Sequence, residues 1–169
     1  MKKTFTILIC LATILMLVAG AFAEPVTVSF DYTNNGEAAQ NLIREINSYR
    51  VSGTAWQLDE NEQKIELGAL DELQIDPDLC AAAQQRAIEQ YFGLSHTRPD
   101  GSSCLTVIKG IRGENAAYNR SIDAGDIYEL FLETDEAYAD QGHRRNMLDP
   151  EAKRIGVGCV TVDSVTYWV

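Results

Sequence analysis

Three short segments decide the fold of this chain: SHTRPDG (Ser95–Gly101), GENAAY (Gly113–Tyr118) and GHRRNML (Gly142–Leu148). The first and the last hold its only two histidines, His96 and His143. Histidine has a free pKa of about 6.5, so its charge changes near neutral pH. Two histidines set beside glycines and arginines predict a shared site, although spacing alone does not show that they meet.

In this order, the three segments resemble the CAP superfamily, which includes cysteine-rich secretory proteins, venom allergens, plant pathogenesis-related proteins and secreted bacterial proteins. LIREINSYRVSG (Leu42–Gly53) is similar to the first helix of the family, and RIGVGCVTVDSVTYWV (Arg154–Val169) is similar to its final hairpin. The resemblance covers the chain from Glu37 to the C-terminus. It implies an α/β fold, a three-layer α-β-α sandwich in which a small antiparallel sheet lies between helices.

Members of this family often place two histidines and two glutamates in an open cleft, and some bind a divalent metal there. Residue by residue, His96 matches the first histidine, Glu114 the first glutamate and His143 the second histidine. Eukaryotic members carry the second glutamate after a tryptophan on the third helix, and this chain has no tryptophan there. The resemblance therefore points to Glu133 as the nearest candidate, with Glu136 next.

Two neutral imidazoles and one carboxylate form a common ligand set for catalytic zinc, which leaves a fourth position for water. His96, His143 and Glu114 are therefore candidate ligands for zinc or another divalent metal. Without metal, the same residues form a carboxylate-oriented histidine pair. The alternative is that all three stabilise turns, with the carboxylate capping backbone N–H groups and each histidine donating to a carbonyl. No local motif of the HExxH type decides between these interpretations.

The sequence establishes no catalytic residue. Ser95 and Cys104 lie near His96 and invite a nucleophile hypothesis, but serine and cysteine beside a turn are more often structural. Activities vary among members of the resembling family, and a fold alone does not define one. We therefore expect a non-enzymatic binding module whose cleft holds a metal, small molecule, lipid or peptide. The alternative is a metal-assisted hydrolase, of the peptidase or esterase type, that uses the same cleft.

The N-terminus, Met1–Ala23, is typical of a secretory signal peptide, with two lysines, an apolar run and an Ala-Phe-Ala cleavage site. A membrane anchor is the alternative, but a span needs about 20 apolar residues and this run is shorter. The remaining chain divides into a short linker at 24–36 and a CAP (SCP) domain at 37–169. We expect a secreted monomer that is not attached to a membrane after cleavage of the signal peptide.

The composition is strongly acidic, with 25 Asp and Glu against 14 Lys and Arg and a net charge of −11. Two of the lysines lie in the leader, so the mature chain is more acidic still. Binding to phosphate groups needs clusters of Lys and Arg. The charge therefore argues against nucleic acid or an anionic membrane as a partner.

Three cysteines follow the leader: Cys80, Cys104 and Cys159. An odd number leaves at least one thiol free or paired between chains. If one disulfide forms, we expect Cys104–Cys159. The alternative is that all three are small buried apolar residues.

Periodicity and caps predict three helices and one hairpin. The predicted elements are a helix over Glu37–Arg50, a second helix from the Asp76 N-cap to Gly93, a third helix beginning at Ser121 or Asp123 with Ile122, Ile127, Leu130 and Phe131 on its apolar face, and a hairpin of Arg154–Val160 and Val165–Val169. Gly53–Ile75 is expected to be an acidic surface excursion. Tyr167 and Trp168 are expected in the terminal strand, with at least one of them packed on the core.

Overall fold

Short helices and strands alternate along the part of the chain that the computed structural model describes, residues 28–169. The predicted signal peptide lies outside the described residues. The helices within 28–169 are α1 (Gly36–Val51), α2 (Pro77–Glu89), α3 (Ala124–Leu132) and α4 (Gly142–Met147), and short 3-10 turns occupy Gln90–Phe92, Cys104–Thr106 and Tyr138–Asp140. The strands are β1 (Thr33–Asn34), β2 (Ala55–Leu58), β3 (Lys64–Gly68), β4 (Gln74–Ile75), β5 (Ala117–Asn119), β6 (Arg154–Ile155), β7 (Cys159–Val162) and β8 (Val165–Trp168).

The first two predicted helices form where their sequence signals place them. In α1, the apolar positions Leu42 and Ile46 are buried on one face. Helix α2 begins with Pro77 in its first turn, and the Asp76 carboxylate accepts hydrogen bonds from two backbone N–H groups there. Such a cap satisfies donors that have no partner within the helix. No helix in the described span is long and apolar enough to cross a membrane.

The main sheet has the strand order β1-β7-β8-β5, and each neighbouring pair is antiparallel. Strands β7 and β8 are joined through Asp163 and Ser164, which both have positive φ. A two-residue loop of this kind matches the twist of the strands that flank it. The terminal hairpin is thus confirmed, but its first strand begins at Cys159 rather than Arg154. Arg154–Ile155 instead pairs in parallel with β4.

Helices cover both faces of this sheet, which confirms the three-layer sandwich. On one face, Cys159 and Trp168 join the buried core with the apolar residues of α1 and α3. Trp168 is fully buried, and its indole N–H donates to Asn119 Oδ1 at 3.3 Å. The prediction that the terminal strand carries a core aromatic is therefore confirmed. Helix α2 packs on the opposite face, against β7 and β8.

The acidic surface excursion expected over Gly53–Ile75 contains regular strands that the sequence analysis did not predict, the β2–β3 hairpin and β4. A distant residue supports the hairpin. The guanidinium of Arg144 lies 4.0 Å from the ring centroid of Trp56, and its Nη1 donates to the Trp56 carbonyl at 2.9 Å. Local patterns carry no sign of such a partner.

The predicted apolar face of α3 is half right. Ile127 and Phe131 are buried, whereas Ile122 and Leu130 are 59% and 46% exposed. Asp123, not Ser121, caps the helix by accepting from the Gly125 N–H at 2.9 Å. Ile122 therefore precedes the helix and does not share its buried face.

Cys80, Cys104 and Cys159 are all free, so the expected Cys104–Cys159 disulfide is not formed. Cys159 is fully buried among core residues. Burial raises the pKa of its thiol to about 12. Cys159 therefore acts as a small apolar core residue.

Close packing between α2 and the sheet depends on Gly158. A Cβ atom at this position would lie 2.4 Å from the Ala83 carbonyl carbon, well inside contact distance. We predict that Gly158→Ala lowers the free energy of unfolding by about 3 kcal/mol or more, because two backbones must separate. Gly36→Ala is the control, since its Cβ would meet only Asn34 Oδ1 at 3.8 Å. Urea denaturation measures both, and equal stabilities of the two variants would contradict this packing.

Candidate functional site

His96 lies on a turn whose backbone is held by the end of α2. The side-chain amide of Gln90 accepts from the Ser95 N–H at 2.8 Å and donates to the Ser95 carbonyl at 3.0 Å. Arg86 Nη2 donates to the same carbonyl at 2.7 Å. Both side chains are almost completely buried. The backbone before His96 is therefore fixed, while the imidazole itself is 60% exposed.

The carboxylate of Glu114 contacts both Arg86 and His96. Arg86 Nε lies 2.7 Å from Glu114 Oε2, and Arg86 Nη2 lies 3.1 Å from Oε1. His96 Nδ1 lies 2.9 Å from Oε1. A carboxylate only accepts hydrogen bonds, so in the neutral imidazole Nδ1 carries the proton and Nε2 keeps a free lone pair. The structure thus brings together two of the residues that the sequence singled out.

A second acid balances the charge of Arg86. Glu89 Oε2 lies 2.5 Å from Arg86 Nη1, and Glu89 Oε1 lies 2.7 Å from Arg98 Nη2. Burial lowers the pKa of Arg86, but hydrogen bonds to Glu114 and Glu89 outweigh it and raise the pKa overall. Burial also raises the pKa of Glu89, yet its hydrogen bonds to Arg98 and Arg86 hold the pKa below its usual value. The four side chains form a charge-balanced network beneath His96.

Cys104 lies beside His96 and Glu114 and is the third potential metal ligand near this turn. Its backbone N–H donates to the His96 carbonyl at 2.8 Å, and Thr97 pairs with Ser103 in an isolated bridge that closes the loop. One donor atom each from His96, Cys104 and Glu114 lies within 4.8 Å of the others. Burial and the Glu114 charge raise the pKa of the thiol. Cys104 is therefore protonated at neutral pH, which disfavours the nucleophile hypothesis.

His143 and Glu133 form the other half of the candidate site. Glu133 ends α3 with φ and ψ of 45°, a left-handed conformation that is uncommon for a residue with a Cβ. Its Oε1 lies 2.5 Å from His143 Nδ1, and its Oε2 accepts from the backbone N–H groups of His143 and Arg144. In the neutral form of this imidazole, Nε2 is again the nitrogen with a free lone pair. Glu136, the other candidate, donates its backbone N–H to the Glu133 carbonyl.

Two asparagines connect the segment of Glu114 to the helix of His143. Asn115 Nδ2 donates to the His143 carbonyl at 3.0 Å, and Asn146 Nδ2 donates to the Asn115 side chain at 2.9 Å. Asn146 also packs so closely on Gly113 that a Cβ there would lie 2.7 Å from its Oδ1. The Gly-Glu-Asn turn is thus held against α4. That His143 shares one cleft with His96 and Glu114 stays a prediction.

A pocket of about 350 Å³ lies beside Glu114, between α1, α2 and the segment at 107–115. Most of its lining is apolar. The apolar residues include Leu42, Ile46, Ala82, Val107, Phe131 and Val157, and Glu114 and Asn146 contribute polar atoms.

Sequence reasoning missed Arg86, Glu89 and the role of Arg144. Arg86 lies on the buried face of α2 among alanines, and a charged residue in such a position is a signal of a buried partner. Arg144 directly follows His143 in the third motif, but it is buried and bonds to Tyr49 Oη and the Trp56 carbonyl. Its partners lie too far away in sequence for any local pattern to reveal them.

Acid should weaken the network around Glu89. Since its folded pKa is lowered, the stabilisation is complete above its unfolded pKa of about 4.3 and is lost as pH falls through the folded value. We predict that Glu89→Gln lowers the free energy of unfolding by about 1.5–3 kcal/mol at pH 7, with a smaller difference from wild type at pH 3. Urea denaturation at both pH values tests this.

Glu72→Gln is the matched control for this experiment, because Glu72 is an exposed acid. Its stability should follow that of the wild type at both pH values. A Glu89→Gln deficit that is the same at pH 3 and pH 7 would contradict the charge-based account.

Comparison with known proteins agrees with this architecture. The profile of the CAP family, the cysteine-rich secretory protein family, matches residues 43–169. An outer surface protein from Borrelia burgdorferi superposes with a TM-score of 0.57 and 16% identity over 83% of this chain and 94% of its own. An extracellular protein containing an SCP domain from Bacillus anthracis str. Ames gives a TM-score of 0.51 and 16% identity over 79% of this chain and 39% of its own. No curated protein sequence matches significantly. The chain belongs to the cysteine-rich secretory protein (CAP) family.

Proposed function

We propose that this protein is a non-enzymatic extracellular binding module whose cleft, built around His96, Glu114 and His143 with Glu133, takes a divalent metal ion. The observation that carries the proposal is that each imidazole Nδ1 contacts a carboxylate, at 2.9 Å in one pair and 2.5 Å in the other. Metal-binding histidines almost always donate their second ring N–H to such a group.

The two oriented imidazoles are suitable ligands for a divalent metal ion. The carboxylates fix the tautomer and orientation of each ring, so that Nε2 is the nitrogen offered to a ligand. Imidazole nitrogen suits zinc and other transition metals better than calcium or magnesium. His96 and His143 are thus the proposed ligands, while Glu114 and Glu133 orient them. A bound metal would supply a Lewis acid and an open position for water or an external ligand.

Binding is favoured over catalysis because neither Cys104 nor Ser95, the two candidate nucleophiles beside His96, is activated. The Cys104 thiol is protonated at neutral pH, and Ser95 Oγ accepts the Thr97 N–H in a turn. A metal-assisted hydrolase would draw its nucleophile from metal-bound water. Turnover of peptide or ester substrates that is lost in His96→Ala would therefore establish the alternative.

An extracellular location is supported by two observations. The N-terminal sequence is typical of a signal peptide. The two similar structures belong to proteins described as an outer surface protein and an extracellular protein. Secretion is therefore part of the proposal.

Zinc titration followed by nuclear magnetic resonance tests the metal site, because the chain has only two imidazoles to assign. We predict that zinc shifts the Nε2 resonances of both rings while the Nδ1 protons remain. Either His96→Ala or His143→Ala should abolish binding, since each removes one ligand. Below about pH 6.5, affinity should fall because protons compete for the imidazoles.

Asn41→Ala is a control for this titration, because Asn41 is a half-buried residue of α1 whose side chain bonds to Arg44, outside the cluster. Its zinc affinity should equal that of the wild type. Zinc that shifts only one imidazole, or that binds His143→Ala with unchanged affinity, would refute a shared site.

The pocket beside Glu114 favours a second candidate, a small apolar ligand such as a fatty acid. Its volume of about 350 Å³ and mostly apolar lining are suited to an acyl chain. We predict that Val107→Phe, which fills the pocket, weakens binding of a fluorescent fatty acid. Leu105→Phe is the control, because Leu105 is exposed in the preceding 3-10 turn and does not line the pocket. Equal affinity of the two variants would exclude the pocket as the binding site.

A further inference from the structure

Three potential metal ligands lie close together in the described part of the chain, and His143 is not one of them. They are a ring nitrogen of His96, the Cys104 sulfur and a Glu114 oxygen, all within 4.8 Å. Tetrahedral zinc binds nitrogen and oxygen at about 2.0–2.2 Å and sulfur at about 2.3 Å, so its ligand atoms lie roughly 3.5 Å apart. The observed group therefore needs to close by only about 1 Å.

The three donors differ in their freedom to make this adjustment. Glu114 is held by two hydrogen bonds from Arg86, and Cys104 is buried with its backbone bonded to His96. The imidazole of His96 is 60% exposed, and its side chain makes one hydrogen bond, to Glu114, so it is the donor that can rotate toward an ion when that bond is given up. A rigid pair with one adjustable ligand is thus present before any ion binds. Ligating carboxylates are themselves commonly hydrogen-bonded in this way.

The charged residues around the group do not repel a cation. Arg86 and Arg98 are paired with Glu89 and Glu114, so the network beneath the group is neutral. A thiolate at Cys104 would add one negative charge that a divalent ion can neutralise. Sulfur and imidazole together select zinc, cobalt or copper over magnesium and calcium.

We propose that His96, Cys104 and Glu114 form a thiolate-containing site for a thiophilic metal ion. Binding forms metal–sulfur, metal–nitrogen and metal–oxygen bonds, and the thiol proton of Cys104 leaves to solvent. The fourth position stays open to water. This site does not require His143, but it shares His96 and Glu114 with the cleft proposed above. An ion held here and an ion held between the two histidines therefore compete for one imidazole.

Cobalt(II) is the probe that separates the two sites, because a cobalt–thiolate bond gives a charge-transfer absorption in the near ultraviolet that imidazole ligands do not give. Under reducing conditions, the wild type should show this absorption on addition of Co²⁺, and excess Mg²⁺ or Ca²⁺ should not displace it. Cys104→Ser should lose the absorption completely. Cys80→Ser, which removes a half-buried thiol elsewhere, and His143→Ala should both keep it.

Each outcome decides between the proposals. Visible cobalt bands without the thiolate absorption, sensitive to His143→Ala, would overturn this site and leave the two-histidine site standing. Thiolate absorption that persists in Cys104→Ser would also overturn it. Thiolate absorption that is lost in Cys104→Ser and kept in His143→Ala supports the site. If no metal binding is sensitive to His143→Ala, the two-histidine site is rejected.

A measurement on the wild type covers the case in which Cys104→Ser does not fold. Saturating Zn²⁺ should slow alkylation of Cys104 by iodoacetamide relative to alkylation of Cys80, as followed by peptide mass spectrometry. Unchanged relative rates with zinc present would overturn the proposal without any substitution.

Discussion

The buried ion pair between Arg86 and Glu114 is the constraint on which the candidate site depends. Arg86 is only 1% exposed, and its guanidinium binds both oxygens of a carboxylate whose side chain is 4% exposed. Removal of one partner from such a pair typically costs about 3–5 kcal/mol, because the other charge stays buried. Glu114 must therefore lie over α2. The ion pair that stabilises the fold also fixes the position of the carboxylate that contacts His96.

The carboxylate of Glu133 is also fixed by a structural partner, but this partner is the N-terminus of α4 instead of an arginine. Glu133 caps the backbone of α4 with one oxygen and contacts the His143 imidazole with the other. The sequence left open whether the carboxylates cap backbone N–H groups or orient the histidines. Glu133 does both, whereas Glu114 contacts Arg86 and His96 and caps no backbone group in the described structure. Each carboxylate has a structural partner and an imidazole partner, so the rings are oriented at little additional conformational cost.

Cys104 shows how a tight turn can add a donor that linear motifs do not suggest. The bridge between Thr97 and Ser103 brings the residue after it back onto His96, beside Glu114. The result is a group of nitrogen, sulfur and oxygen donors over a neutral network of arginines and glutamates. That composition suits softer metal ions than the hard cations that an acidic chain attracts in general.

Family, architecture and most helices could be predicted from the sequence, because they depend on motifs and periodicities within a few residues. The N-cap at Asp76 and the apolar positions of α1 are local signals of this kind, as is the terminal hairpin around Asp163. The β2–β3 hairpin, the ion pair of Arg86 and the contact of Cys104 with Glu114 were decided only by the tertiary structure. Arg86 and Glu114 are 28 positions apart, and Arg144 and Trp56 are 88 apart. Pairing over such separations depends on how helices and strands pack, because burial, not local preference, determines which charged groups must meet.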